Sequence, residues 1–290
     1  MVEIGSMLAE NAGLLVVMAL LLGLLVGSFL NVVIHRLPLM MERGWQRECD
    51  RYLGRDVQED AERYNLLVPA SHCPGCKQAV QAWQNIPLLS YALLRGRCAH
   101  CGTGISWRYP AVELLTGLLF AAVAWRFGLS VPMLGYLLLT AALVALTFID
   151  ADTQLLPDDL TLPLVWAGLL FNLYTGAVAL EDAVIGAVAG YLSLWLVYWL
   201  FKLCTGKEGM GYGDFKLLAA FGAWLGWSML PLIILLSSLV GAVVGIVLML
   251  LSRIGRGQAL PFGPYLAAAG WIALLWGKQI VSWYLGSYVH

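Results

Sequence analysis

Eight long apolar runs, separated by short polar breaks and one long polar insert, decide what this 290-residue chain can become. They fall at roughly residues 12–34, 110–127, 131–149, 160–178, 183–203, 215–229, 230–251 and 262–285. A hydrocarbon core about 30 Å thick takes about 20 residues of helix, and each run is about long enough to span it. Inside lipid every backbone N–H and C=O must be bonded within its own segment, so such runs are helices. With 60% hydrophobic and 12% charged residues, the chain reads as an all-α polytopic membrane protein with about eight transmembrane helices. A formal net charge of −1, with no basic tract outside the insert, gives no electrostatic footing for nucleic acid.

The first run is too long for a signal-peptide core, and Glu3 and Glu10 precede it where a signal peptide carries bases. It is expected to stay in the protein as a membrane helix. Residues 215–251 are nearly continuous, and Trp227-Ser228 with Pro231 marks the expected break.

Orientation follows from Lys and Arg. Placing residues 35–109 in the cytoplasm also places 150–159, 204–214 and 252–261 there, leaving only Arg126 and Lys278 of seventeen basic residues opposite. Both ends of the sequence then lie outside the cytoplasm. Asp150 closes the third run and Asp214 opens the sixth, so both meet the cytoplasmic face. A carboxylate there is costly to desolvate, and two of them on one face invite a shared function.

The insert holds ten of the seventeen basic residues and five of the six cysteines. Cys73-Pro74-Gly75-Cys76 is followed after twenty-one residues by Cys98-Ala99-His100-Cys101. Two such knuckles come close to a zinc ribbon, in which four thiolates close a tetrahedral Zn²⁺ site with no open position. Gly75 and Gly102 are expected to give the knuckles their permissive backbone. A cytoplasmic setting disfavours two disulfides, and no thioredoxin-like pattern supports a redox pair. His72 and His100 are expected beside the site, and Cys49 and Cys204 as free thiols. In so small a domain the metal supplies much of the folding free energy. The charged stretch 42–64, from Glu42 and Arg43 to Glu62 and Arg63, reads as a solvated helix.

Around the two aspartates each residue has a plain reading and a chemical one. Gly209, Gly211 and Gly213 favour irregular backbone before Asp214, which lets an extended peptide lie alongside. Asp214 equally suits the N-cap of the sixth helix. Asp152 reads as a loop carboxylate, and Asp158 and Asp159 as N-cap candidates for the fourth. These acids match no calcium loop and have no histidine near them. Glu113, early in the second run, is most simply paired with Arg108, although an acid at that depth is also a candidate functional residue. Gly23-x-x-x-Gly27, Gly186-x-x-x-Gly190 and Gly241-x-x-x-Gly245 read as helix-packing faces, and several of the twelve Trp as an interfacial belt.

These residues together resemble the type IV prepilin peptidase family of intramembrane aspartyl proteases. The likeness rests on Gly211-x-Gly213-Asp214 with upstream Asp150, and on Gly27-Ser28-Phe29-Leu30-Asn31-Val32-Val33-Ile34-x-Arg36-Leu37-Pro38. The two knuckles and Pro261-Phe262-Gly263-Pro264-Tyr265 complete it. It runs over essentially the whole chain and is strongest toward bacterial enzymes of type IV pilus and type II secretion systems. It implies an inner-membrane enzyme that cuts prepilins and pseudopilins on the cytoplasmic side, after a glycine and before the hydrophobic helix. Many bacterial members also N-methylate the new N-terminus with S-adenosylmethionine. The resemblance makes Asp150 and Asp214 the catalytic pair and Cys73, Cys76, Cys98 and Cys101 the metal tetrad, while the glycine pattern itself makes Gly211 and Gly213 candidates to face the substrate. Gly96 matches a glycine tied to methylation, although a turn residue is the simpler account, and no glycine-rich nucleotide fingerprint accompanies it.

The expected division is a first membrane helix at 1–34, a cytoplasmic zinc-binding domain at 35–109 and a membrane-embedded peptidase core at 110–290. Two rivals remain. A transporter or channel with a zinc-ribbon regulator also uses membrane acids, and cleavage in detergent without a gradient separates it. A pure membrane methyltransferase is separated by whether shortening of the substrate precedes methylation.

Overall fold

The computed structural model describes residues 11–55, 64–207, 209–251 and 260–286. Among them the α-helices are α1 (Ala12–Tyr52), α2 (Leu89–Leu93), α3 (Arg108–Phe127), α4 (Val131–Thr153), α5 (Asp158–Thr175), α6 (Leu180–Thr205), α7 (Tyr212–Leu225), α8 (Leu230–Leu250) and α9 (Gly263–Gly286). Two isolated antiparallel bridges are the only β pairing among the described residues. Every apolar run falls on a helix. Among the described residues, five stretches are long and apolar enough to cross a membrane: α1, α3, α4, α6 and Trp227–Leu250, which is α8 with the turn before it. Leu25, Leu196 and Leu235 stand 60%, 64% and 67% exposed, an apolar surface that water does not favour. The chain is a multi-pass membrane protein.

It divides into two compact units, Met1–Leu129 and Ser130–His290. In the first, α1 packs along α3. Gly23 and Gly27 bring the two backbones together: a Cβ would stand 2.7 Å from Gly117 Cα at Gly23 and 2.8 Å from Glu113 Cα at Gly27. α1 does not stop near residue 34. It continues through Pro38 for 41 residues, because the charged stretch beyond is built of good helix formers. The solvated helix expected over 42–64 is therefore the end of α1 up to Tyr52, and residues 56–63 lie outside the described set. Arg36, buried on α1, donates to the Asn65 carbonyl at 3.0 Å and lies with Arg43 against the Tyr64 ring.

In the second unit α7 is the hub, packed by α5, α6 and α9. Phe215, Leu217, Leu218, Ala220, Phe221 and Ala223 have no exposed surface, so α7 is buried nearly all round. At 14 residues it is about 21 Å long, shorter than a hydrocarbon core. Gly226, at φ +80, ends it, a 3₁₀ turn at Trp227–Met229 follows, and Pro231 opens α8, where the break was expected. The α6–α7 crossing is the tightest in this unit. A Cβ would stand 2.5 Å from the Gly222 carbonyl oxygen at Gly186 and 2.6 Å from that of Leu218 at Gly190. Gly241 and Gly245 are looser, 3.3 Å from Tyr265 and Leu260 side chains, so that pair is no backbone crossing. Trp125 and Trp283 are exposed near helix ends, but Trp224 is buried, donating to the Leu164 carbonyl at 2.9 Å over Gly168.

Candidate active site and metal centre

Asp150 sits in the last turn of α4, where Gln154 in the left-handed conformation ends the helix by donating to the Asp150 carbonyl. The side chain is 5% exposed. Its Oδ2 accepts from the backbone N–H of Gly263 at 2.9 Å, so the carboxylate caps the N-terminus of α9. This contact requires glycine: a Cβ at 263 would stand 2.7 Å from that oxygen.

Asp214 lies in the first turn of α7, 7% exposed. It is not the N-cap. Gly211, extended at φ −83 and ψ 152, takes that position, and the Asp214 N–H points back to its carbonyl at 3.3 Å. Asp214 Oδ1 is buried with no hydrogen-bond partner among the described residues. A buried acceptor of this kind carries a free-energy deficit that a bound group or a shared proton relieves. Asp150 lies close enough for its charge to bear on Asp214.

Leu156 locks this corner. A Cβ would meet it at 2.6 Å from Gly213 and at 3.2 Å from Gly263. Gly213 is thus a helical residue pressed on Leu156, whereas Gly211 faces open space. Lys216 pairs with Asp158 and ties α7 to the start of α5. Asp158 and Asp159 fill the first turn of α5 behind Pro157 rather than capping it, and Asp152 belongs to the last turn of α4, not a loop. Beside Asp214, the Phe215 ring meets Tyr191 and Tyr198 edge to face and Tyr212 at a tilt. Gly263 and Leu156 were not singled out as site residues from sequence; the Pro261–Tyr265 motif was the available signal.

The four cysteines gather in the first unit. Their sulfurs all lie within 4.8 Å of one another, with Cys73 and Cys101 3.7 Å apart. A tetrahedral Zn–S distance of about 2.3 Å implies sulfur separations near 3.8 Å, so this donor set fits zinc. The knuckles are built alike. The Cys73 N–H donates to Gln78 and that of Lys77 to Cys73; the Cys98 N–H donates to Thr103 and that of Gly102 to Cys98. Bridges His72–Ala79 and Arg97–Gly104 close them. The left-handed position is Lys77, φ 59, in one and Gly102, φ 71, in the other. Gly75 has a different task, since a Cβ there would crowd Thr103 Oγ1 at 2.9 Å. The Thr103 hydroxyl and amide hold the Cys101 thiol down at about 6, and amides of Cys101 and His100 lower Cys98. Cys101 and Cys98 are thereby moved toward the thiolate, the form that binds metal, whereas Cys76, although the Gln78 amide lowers it, is pushed up to about 11 by burial and the neighbouring thiols. His72 and His100 are not among the clustered ligands. Cys49 and Cys204 are free and exposed.

Gly96 is a turn residue at φ +66, and a Cβ there would strike the Tyr91 ring at 2.9 Å. Glu113 is not paired with Arg108. It accepts from the Leu88 N–H at 2.9 Å, with Ser28 beside it.

Fold and site define a polytopic helical membrane protein with two buried, neighbouring aspartates at helix ends and a separate cysteine tetrad. Residues 21–127 match the family model of the bacterial peptidase A24 N-terminal domain, and 137–246 match that of the type IV leader peptidase family. The chain belongs to the type IV leader peptidase family. It is 62% identical to a prepilin leader peptidase/N-methyltransferase of Aeromonas salmonicida over 92% of both chains. It is 57% identical to one of Pseudomonas aeruginosa over 96% of both, and 56% to one of Neisseria gonorrhoeae over 92% of this chain and 94% of that one. No solved structure matches the chain.

Proposed function

We propose that this protein removes the leader peptide of type IV prepilins and pseudopilins at the cytoplasmic face of the bacterial inner membrane. It then N-methylates the exposed residue, with S-adenosylmethionine as co-substrate. The observation that carries the peptidase reading is the burial of Asp150 and Asp214, from separate helices, around one corner where Leu156 packs on Gly213 beside Asp214 and on Gly263, which holds Asp150. Two such carboxyls share one proton. One, ionised, takes a proton from water; the other, protonated, polarises the scissile carbonyl and afterwards protonates the departing amine. The Gly263 N–H fixes the Asp150 carboxylate in place, and open backbone at Gly211 leaves room for an extended substrate. Gly213, by contrast, serves the site through its packing on Leu156.

Cys73, Cys76, Cys98 and Cys101 hold a structural Zn²⁺ in a ribbon-like cytoplasmic domain at 35–109, whose four sulfurs leave no position for water. Eight helices lie in the bilayer, with the short α7 enclosed by its neighbours. The likeness to named peptidases gives the transporter or channel alternative no support. The test is incubation of a purified prepilin with the purified protein in detergent and no gradient, followed by mass spectrometry of the product N-terminus. A shortened, then methylated, product is expected; an intact prepilin contradicts the reading.

A further inference from the structure

The dyad chemistry leaves one buried acid unused. Glu113, on α3, is 9% exposed, and no described cation pairs with it. Its Oε2 accepts from the Leu88 amide at 2.9 Å, and Ser28 of α1 lies beside the same carboxylate. Ser28 Oγ also reaches the Asn85 carbonyl at 3.5 Å, and Asn31, one turn on, donates to the Tyr109 carbonyl at 3.1 Å. Leu88 is held at φ 58 and ψ −44, a left-handed conformation that a branched residue adopts only under constraint. The chain accepts that strain where the Leu88 amide meets Glu113. Gly27 admits α3 so closely that a Cβ would stand 2.8 Å from Glu113 Cα.

A carboxylate held by one backbone amide, with a neutral hydroxyl beside it and no cation, is under-compensated for its burial. A primary ammonium supplies what is missing: a positive charge and three donors, for Glu113, the Ser28 hydroxyl and the Asn85 carbonyl. We propose that Glu113, with Ser28 and the Asn85 carbonyl, forms the receptor for the free α-amine of the cleaved substrate and takes its proton for methylation. This rests on the N-methyltransferase reading and names the residues of its acceptor site. The ammonium gives one proton to the Glu113 carboxylate. The freed lone pair bonds the methyl carbon of a sulfonium donor, whose C–S bond breaks with its electrons left on sulfur as a thioether. The product is a secondary ammonium. Glu113 returns its proton to water when that product leaves.

A carboxylate that merely supports the Leu88 turn would be replaced without loss by glutamine, whose carbonyl still accepts from the Leu88 amide. Glu113→Gln in the full-length protein is therefore the decisive variant, and its cleavage rate reports on folding. Two readouts are needed: methyl incorporation into a pre-cleaved pilin, and binding in detergent of a mature pilin N-terminal peptide with a free or acetylated α-amine. The expected result is unchanged cleavage, methylation lowered at least about 100-fold, and an amine preference of about tenfold abolished. Ser28→Ala weakens the amine preference in the same direction. Methylation by Glu113→Gln as fast as wild type, or a wild-type protein indifferent to acetylation, would overturn the proposal. A wild-type protein that methylates nothing yet prefers the free amine, with that preference gone in Glu113→Gln, supports the amine site and refutes the methyltransferase reading.

Discussion

At the residue scale the account turns on glycines that let side chains and backbone approach carboxylates. Gly263 is the clearest. Its N–H reaches Asp150 at 2.9 Å, and a methyl group there would intrude on the same oxygen. Gly263→Ala is expected to lower cleavage about 10- to 100-fold by moving Asp150 out of line, while methylation of a pre-cleaved substrate continues. A kinetic comparison of the two steps checks it. Gly96→Val is expected to displace Tyr91 and weaken the turn before Cys98, read as faster loss of metal to a chelator. Some of this was legible in sequence and some was not. Asp150 stood out because it joins an apolar run directly. The expected Glu113–Arg108 pair failed on helical phase, since residues five apart on a helix point about 140° apart. Asp214 was misjudged as a cap because the glycines before it suggested loop as far as 213, whereas Gly211 itself caps the helix.

At the scale of elements, close helix crossings do what lipid cannot, since apolar faces gain nothing by leaving a solvent as apolar as themselves. α6 and α7 meet backbone to backbone, and a Cβ at Gly222 would stand 2.0 Å from the Gly186 carbonyl oxygen. Gly222→Leu is expected to destabilise the second unit by at least about 3 kcal/mol and to cost cleavage through displacement of α7. Thermal unfolding in detergent, compared with the milder Gly245→Ala, measures it. The positions of the helices were readable because apolar runs are long and lipid admits little else. Two features were not. α1 runs beyond the apolar stretch because helix propensity, not hydropathy, governs its charged end. The shortness of α7 is set by enclosure within protein, which hydropathy does not register.

At the scale of the whole molecule, two chemistries sit on separately packed units, a cysteine tetrad in one and an aspartate pair in the other. Zinc removal is therefore expected to loosen the knuckles and expose residues 64–107 to protease while the second unit keeps its helices. Because protons compete with the metal for four thiolates, retention of zinc is expected to fall as pH is lowered. Limited proteolysis with metal analysis across a pH series checks both. The central claim is that Asp150 and Asp214 act as one catalytic pair. The direct measurement is the cleavage rate of a purified prepilin by Asp150→Asn and Asp214→Asn, each accumulating in the membrane like wild type. The account predicts that each alone lowers the rate at least about 1000-fold. Wild-type processing by either variant would contradict it.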